Sequence, residues 1–170
     1  GRCPNRAECY ASGTATFLLG GSICSRACAF CQVSKGKPSE INKYESIQVA
    51  EAVKILNLKY VVLTSVARDD LHDHGANLFV STISEIRKID PKIQIEVLTP
   101  DLWGGGKNFE DKDKLQKDRL KKILEQRPIC FNHNLETVER LQKEVRRGAN
   151  YKNSISLLEK VKFIAQNIQT

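Results

Sequence analysis

The chain has 170 residues and a net charge of +7, from 27 basic and 20 acidic residues. This length is typical of one domain with its own hydrophobic core, and no apolar run approaches the roughly 20 residues of a membrane span. The first residues also lack the apolar core of a signal peptide. The positive charge favours an acidic partner, but aromatic residues make up only 6% and no segment alternates Lys or Arg with Phe or Tyr. Nucleic acid is therefore disfavoured, and an acidic protein surface is the preferred partner.

The six cysteines are distributed unevenly. Five of them lie within the first 31 residues, whereas Cys130 is the only one in the rest of the chain. Such clustering predicts a metal or cluster site rather than a disulfide framework, and it is typical of a reducing compartment. We therefore expect a cytoplasmic protein, with an organellar matrix left open. Cys130, in an apolar segment, is expected to be a buried thiol.

Short apolar runs alternate with longer amphipathic segments along the chain. Four runs rich in branched residues predict strands, and five segments with helical spacing predict helices. The predicted strands are 14–19, 60–64, 93–98 and 129–131. The predicted helices are 47–58, 76–89 and 112–126 between them, followed by 136–146 and 153–168. Repeated strand–helix units of this length predict an α/β fold with a parallel sheet.

Polar residues follow each predicted strand, at the end where parallel strands share one rim. The catalytic residues of βα barrels lie on such a rim, so we prefer a barrel to a doubly wound sheet. Four strands are too few to close a barrel. We therefore expect a partial βα barrel, truncated on its C-terminal side, that ends in a helix and leaves its fourth strand without a further neighbour.

Cys24, Cys28 and Cys31 form a C-x3-C-x2-C loop directly after the first predicted strand. Three thiolates can hold three irons of a [4Fe–4S] cluster, which usually takes four cysteines, so one iron stays open for a small molecule. Zinc is the alternative, but its sites more often use paired C-x2-C motifs. The loop therefore favours an open iron–sulfur cluster.

This loop, with Phe30 before its third cysteine, resembles the radical S-adenosylmethionine (SAM) superfamily. The resemblance implies that Cys24, Cys28 and Cys31 hold a [4Fe–4S] cluster whose open iron binds SAM. It also implies that a 5′-deoxyadenosyl radical removes hydrogen from an unactivated carbon. Phe30 is expected to contribute to binding the cofactor.

Upstream, Cys3 and Cys9 resemble the second and third cysteines of the C-x4-C-x5-C motif of the lipoyl synthase family. The segments 60–71, 96–101 and 132–138 resemble that family in the same order. The resemblance implies an auxiliary [4Fe–4S] cluster at Cys3 and Cys9, incomplete in this chain, and therefore two clusters together with SAM. It divides the chain into an auxiliary-cluster segment, 1–13, and a partial radical SAM barrel, 14–170.

By the same resemblance the protein is a sulfurtransferase that inserts sulfur at C6 and C8 of a protein-bound octanoyl-lysine, with the auxiliary cluster as sulfur donor. The implied partners are an octanoylated lipoyl-carrier domain and an electron donor such as ferredoxin or flavodoxin. Two alternatives stay open: a radical SAM methylthiotransferase, and a non-catalytic iron–sulfur or zinc module.

Four polar residues at strand ends are candidates for binding SAM: Thr64, Ser65, Asn132 and Asn134. Their alternative role is to cap helices or close turns. Arg68, Asp69 and Asp70 could likewise shape a substrate entrance, or belong to a solvated turn that caps the next helix.

Two further features have a plain interpretation that we prefer. The H-x-H pair of His72 and His74 suggests a metal site, but a solvent-exposed loop is favoured because no third ligand is nearby. The alternating charges of 111–122 indicate the solvated face of a helix, or a surface that docks an acidic carrier domain.

Overall fold

The computed structural model describes residues 3–170 and has a four-stranded parallel sheet at its centre. Gly1 and Arg2, which belong to the predicted auxiliary-cluster segment, lie outside the described residues. The strands of this sheet are β1 (Thr14–Leu19), β4 (Tyr60–Ser65), β5 (Gln94–Leu98) and β6 (Cys130–Asn132). All four predicted strands are therefore confirmed, within one residue at each end.

The sheet order is β1, β4, β5, β6, which follows the chain without reversal. A doubly wound sheet reverses its order at a switch point, whereas a βα barrel adds each new strand on the same side. Register is regular, with Thr14 opposite Tyr60 and Tyr60 opposite Gln94. The topology thus confirms an α/β fold of the partial-barrel type.

Helices cover one face of this sheet. They are α2 (Glu45–Ile55), α3 (Ala76–Ile89), α4 (Phe109–Leu124) and α6 (Tyr151–Ile164), whereas α1 (Arg6–Ala11) and α5 (Gln142–Val145) contribute no residue to the hydrophobic core. Val61, Leu63, Val97 and Phe131 point from the sheet into a fully buried core beneath the helices. The opposite face is less covered, and Leu18 there remains 47% exposed. Burial on the helix side is what holds the strands in register.

Two predicted helices differ from the structure. The segment predicted as one helix, 136–146, contains only a 3₁₀ turn at Glu139–Leu141 and the short α5. Its first residues form a loop because the Gln142 amide donates to the carbonyls of Leu135 and Thr137, at 2.9 and 3.0 Å. This tertiary arrangement stabilises an irregular backbone that helical spacing does not reveal.

The last predicted helix was extended too far. α6 ends at Ile164, and Gln169 forms a parallel bridge to Cys130, with the Phe131 N–H donating to the Gln169 carbonyl at 2.8 Å. The expectations that the chain ends in a helix and that the fourth strand has no further neighbour are therefore wrong. The Phe131 N–H, at the otherwise free edge of β6, is satisfied by this pairing.

Three small elements were not predicted from the sequence. Besides α1, two short strands, β2 (Ile23–Cys24) and β3 (Ser34–Lys35), pair in parallel on either side of the cysteine loop. No helix among residues 3–170 combines the length and apolar character needed to cross a membrane.

Candidate functional site

A cavity of about 260 Å³ lies at the carboxyl ends of the central strands. It is lined by seven of the predicted site residues, namely Cys24, Cys28, Phe30, Cys31, Thr64, Ser65 and Asn134. The three loop cysteines are free thiols and face this one space together. The predicted rim thus brings the cysteine loop and the strand ends into one site.

The backbone fixes the cysteine loop at several points. The Gly36 N–H donates to the Cys24 carbonyl at 3.1 Å, which closes the loop where β2 and β3 meet. The Ala29 N–H donates to the Val145 carbonyl at 2.8 Å, so the loop is also tied to α5. These contacts hold the loop against two separate parts of the rim.

The thiol of Cys28 is electrostatically coupled to its neighbours. Burial raises its pKa, and the negative charges of Cys24 and Cys31 raise it further, whereas the positive charge of Arg146 opposes them. All three cysteines line the same cavity. A cubane cluster binds each thiolate to a different iron, so three soft donors around one cavity fit such a cluster.

Within residues 3–170, no group of three or more His, Cys, Asp or Glu side chains is arranged to hold a single metal ion. His72 is exposed, as expected for a loop, whereas His74 is buried at 7% exposure and lies 3.4 Å from Asp69. The expectation that both histidines lie in a solvent-exposed loop is therefore wrong for His74. Its ring packs against Gly104, where a Cβ atom would approach within 2.5 Å.

Arg26, inside the cysteine loop, is held between two carboxylates. It donates to Asp69 at 2.7 and 2.8 Å and to Asp101 at 2.7 Å, and its side chain is only 10% exposed. Burial alone would lower the pKa of Arg26, but the hydrogen bonds and charges of Asp69 and Asp101 raise it. The guanidinium therefore stays charged and fastens the loop to the ends of β4 and β5.

Two buried hydroxyls at strand ends also face the cavity. Ser65 Oγ and Thr99 Oγ1 have no hydrogen-bond partner in the described part of the chain. Buried polar atoms are rarely left unpaired, so both hydroxyls retain unused hydrogen-bonding capacity beside the cavity. Ser65 in particular neither caps a helix nor closes a turn here.

A second basic group reaches the cavity from the segment after β6. Arg146 donates to Ser154 Oγ at 2.9 Å and lies 3.2 Å from His133 Nε2. Burial lowers the pKa of His133, and its Nδ1 lies 2.8 Å from the Thr99 carbonyl, which can only accept. The proton of neutral His133 is therefore on Nδ1, which leaves Nε2 free to accept from Arg146.

The two predicted asparagines have different surroundings. Asn134 lines the cavity and donates to Glu136 at 2.8 Å; Glu136 lines it too, with a left-handed φ of 63°. Asn132 is not among the lining residues. Its amide donates to Glu96 at 2.6 Å on the face of the sheet opposite the helices, which we call the inner face.

Cys3 and Cys9 lie at the other end of β1. They line a cavity of about 230 Å³ together with residues 14–16, the beginning of that strand. Cys9 is carried by α1, and both cysteines are free thiols. Two thiolates at one cavity are half of the four that a [4Fe–4S] cluster usually takes.

Four charged or polar lining residues were missed by sequence reasoning: Arg26, Thr99, Glu136 and Arg146. Arg26 lies within the cysteine motif and Thr99 at a polar strand end, so both carried a usable signal. Arg146 carried none, because it reaches the cavity only through contacts with His133 and Ser154. Asp69 and Asp70 form ion pairs with Arg26 and Arg68, respectively.

Comparison with known proteins gives a consistent assignment. Residues 18–163 match the family model of the radical SAM superfamily. The chain is 95% identical over its whole length to "Lipoyl synthase 2" of Prochlorococcus marinus subsp. pastoris, covering 57% of that protein. It is 45% identical to "Lipoyl synthase" of Caldicellulosiruptor saccharolyticus, over 99% of the chain and 55% of that protein. The chain thus spans somewhat more than half the length of these relatives.

Among solved structures, the methylornithine synthase crystal structure superposes with a TM-score of 0.62 and 15% sequence identity. The match covers 92% of this chain and 42% of that chain. At this identity the likeness concerns the fold alone.

Proposed function

The chain belongs to the radical SAM superfamily, and from this premise we propose that the protein is a lipoyl synthase that inserts sulfur at C6 and C8 of a protein-bound octanoyl-lysine. The observation that carries the proposal is the grouping of Cys24, Cys28 and Cys31 around one cavity, with a separate pair of cysteines at the other end of β1. The high identity to lipoyl synthases supports the choice of reaction.

In this proposal Cys24, Cys28 and Cys31 hold a [4Fe–4S] cluster beside bound SAM. When bound, these two groups supply the one-electron chemistry that cleaves the sulfonium and activates a C–H bond. Ser65 and Thr99 offer unpartnered hydroxyls to polar groups of SAM, and Thr64 and Asn134 line the same space. Phe30, which is 48% exposed at the cavity, offers a ring face to the adenine or to the acyl chain.

Arg26 and Arg146 have separate tasks. Arg26 is saturated by Asp69 and Asp101, so it orients the cysteine loop. Arg146 is hydrogen-bonded to His133 and Ser154 and lines the cavity near Cys28. In this position its charge can bind the carboxylate of SAM. Its burial among neutral partners strengthens such an ion pair.

The two cysteine sites suit a substrate that lies between them. Leu18 lines the larger cavity and Thr14 the cavity of Cys3 and Cys9, and both belong to β1. Four residues of a parallel strand span about 13 Å, a distance that an extended octanoyl-lysine side chain can bridge. The less covered inner face of the sheet could therefore carry the acyl chain from one site to the other.

The proposal includes a cellular setting. The substrate is an octanoylated lipoyl-carrier domain, the electron donor is a ferredoxin or flavodoxin, and the compartment is the reducing cytoplasm. A second [4Fe–4S] cluster at Cys3 and Cys9 is the sulfur source. The free thiol state of all six cysteines suits such a compartment.

The test uses the chain, extended where necessary to the length of the lipoyl synthases that it matches, with clusters reconstituted anaerobically. It is incubated with SAM, dithionite and an octanoyl-lysyl peptide, and products are identified by mass spectrometry. We expect lipoyl-lysine and 5′-deoxyadenosine, both lost in Cys28→Ala and both retained in the matched control Cys130→Ala. Formation of 5′-deoxyadenosine without a sulfur-containing peptide would refute lipoyl synthesis.

A further inference from the structure

A second concave region lies on the same rim of the sheet, outside the site described above. This groove, of about 590 Å³, is lined by aromatic and basic side chains, among them Trp103, Phe109, Lys112 and Lys152. It lies where α4 and α6 begin, so both helices direct their amino ends toward it. We call it the α4–α6 groove.

The apolar part of the α4–α6 groove is fixed in place although it faces solvent. The rings of Trp103 and Phe109 lie 5.3 Å apart at a tilt of 53°. Lys160 lies over the Trp103 ring at 5.6 Å and is itself bound to Asp113 and Gln116. Phe109 is nevertheless 63% exposed. An ordered, exposed aromatic pair of this kind is typical of the centre of a protein interface.

Both charged side chains that line the α4–α6 groove are basic. Lys112 and Lys152 form no ion pair within residues 3–170, and no Asp or Glu is among the lining residues of the groove. The amino end of α6, which has no acidic residue in its first turn, adds positive potential to that of the two lysines, whereas Glu110 and Asp111 offset the amino end of α4. A partner that fits here carries acidic side chains around an apolar contact.

The α4–α6 groove adjoins the catalytic cavity. Ala149 lines the cavity and Asn150, the next residue, lines the groove. After β5, Pro100 lines the cavity and Trp103 lines the groove. A protein seated in the groove therefore lies beside the opening through which a tethered acyl chain would enter.

We propose that the α4–α6 groove docks an acidic, folded carrier domain and so presents its octanoyl-lysine to the catalytic cavity. The inference rests on the proposed function, because it takes the acyl chain as the substrate. It assigns substrate-protein recognition to Lys112, Lys152 and the Trp103–Phe109 pair, none of which lines the catalytic cavity.

The experiment compares a folded octanoylated carrier domain with a short octanoyl-lysyl peptide as substrates of the holoenzyme. The charge-reversal variant Lys112→Glu/Lys152→Glu should raise KM for the domain at least about tenfold, because like charges would face each other across the interface. The KM and kcat for the peptide should stay at wild-type values. The matched control Lys54→Glu/Lys122→Glu makes the same change in net charge at exposed helix ends remote from the groove, and should leave both substrates unaffected.

Direct binding separates this inference from the proposed reaction. The affinity of the carrier domain, measured by fluorescence anisotropy without turnover, should fall in the double variant and in Phe109→Ala, and should weaken with added salt in the wild type. These losses would support the docking site even if the wild type made no lipoyl product. Unchanged affinity in both variants, or an equal loss of activity with the peptide, would overturn it.

Discussion

Arg26 shows how a single residue can organise the cysteine loop. Its guanidinium reaches Asp69 and Asp101 at once, and the Asp101 side chain is only 3% exposed. Since Arg26 lies between Cys24 and Cys28 in the sequence, every contact it makes also orients the two thiolates. The carboxylates in turn come from the loops after β4 and β5, so three parts of the rim converge on one side chain.

Removal of Arg26 should be far more costly than removal of a surface cation. Arg26→Ala leaves Asp101 buried without its partner, and we expect a loss of about 3–5 kcal/mol in the free energy of unfolding. The control Lys88→Ala breaks the exposed pair with Glu85 and should cost at most about 0.5 kcal/mol. Urea denaturation followed by circular dichroism measures both. Equal stability of the two variants would show that the Arg26 ion pairs contribute little.

The same cluster predicts a pH dependence. Burial alone would raise the pKa of Asp69, but its contact with His74 and its hydrogen bonds from Arg26 and Ser25 hold that pKa below its ordinary value. A carboxyl group with a depressed pKa in the folded state stabilises the protein above its unfolded pKa, about 3.9, and loses that contribution as the pH falls further. We therefore expect the free energy of unfolding to drop between about pH 5 and pH 2 more steeply in the wild type than in Asp69→Asn. Parallel pH profiles would contradict this assignment.

At the scale of elements, a polar layer joins three neighbouring strands on the inner face of the sheet. Glu96 on β5 accepts from the Tyr60 hydroxyl on β4 at 2.5 Å and from the Asn132 amide on β6 at 2.6 Å. Burial, and then the hydrogen bond to Glu96, raise the pKa of Tyr60, so the phenol remains a donor. This layer explains why Asn132 points away from the cavity even though it ends a strand.

Glu96 should therefore be needed as an acceptor rather than as a charge. Glu96→Leu leaves two partly buried donors unpaired, and we expect it to cost about 2 kcal/mol or more, at about 1–3 kcal/mol for each lost partner. Glu96→Gln keeps an acceptor for Tyr60 and, after rotation of the Asn132 amide, a partner for that residue as well, so it should cost about 1 kcal/mol or less. The two variants are compared by thermal and urea unfolding. If Leu is tolerated as well as Gln, the layer does not stabilise the sheet.

At the scale of the whole molecule, the regular part of the fold could be predicted and the irregular part could not. Thr14–Leu19 and Ala76–Ile89 have the predicted bounds, because apolar periodicity directly reflects which side chains the core buries. The segment 133–150 includes helical spacing over 136–146, yet most of it forms a loop. Its loop is stabilised by distant contacts such as Gln142 with Leu135 and Arg146 with His133, and these depend on the folded sheet.

The candidate site likewise has one part that the sequence predicts and another that it does not. The cysteine motif predicted which thiols share a cavity because the three residues are close in the chain, and the strand ends Thr64 and Ser65 follow from the shared rim of parallel strands. Arg146 and the α4–α6 groove arise where segments far apart in sequence meet. Spacing alone carries no information about such meetings.

The two cysteine sites differ in how many thiolates this 170-residue chain supplies, and this difference can be measured. Cys24, Cys28 and Cys31 provide the three ligands of an open cluster, whereas Cys3 and Cys9 provide only two of the usual four. After anaerobic reconstitution and desalting, we expect about four irons per chain, corresponding to one cubane. Cys3→Ala/Cys9→Ala should retain that iron and the cleavage of SAM to 5′-deoxyadenosine, whereas Cys24→Ala/Cys28→Ala should lose both. An iron content near twice this value, halved by Cys3→Ala/Cys9→Ala, would instead show that two thiolates suffice to hold the auxiliary cluster.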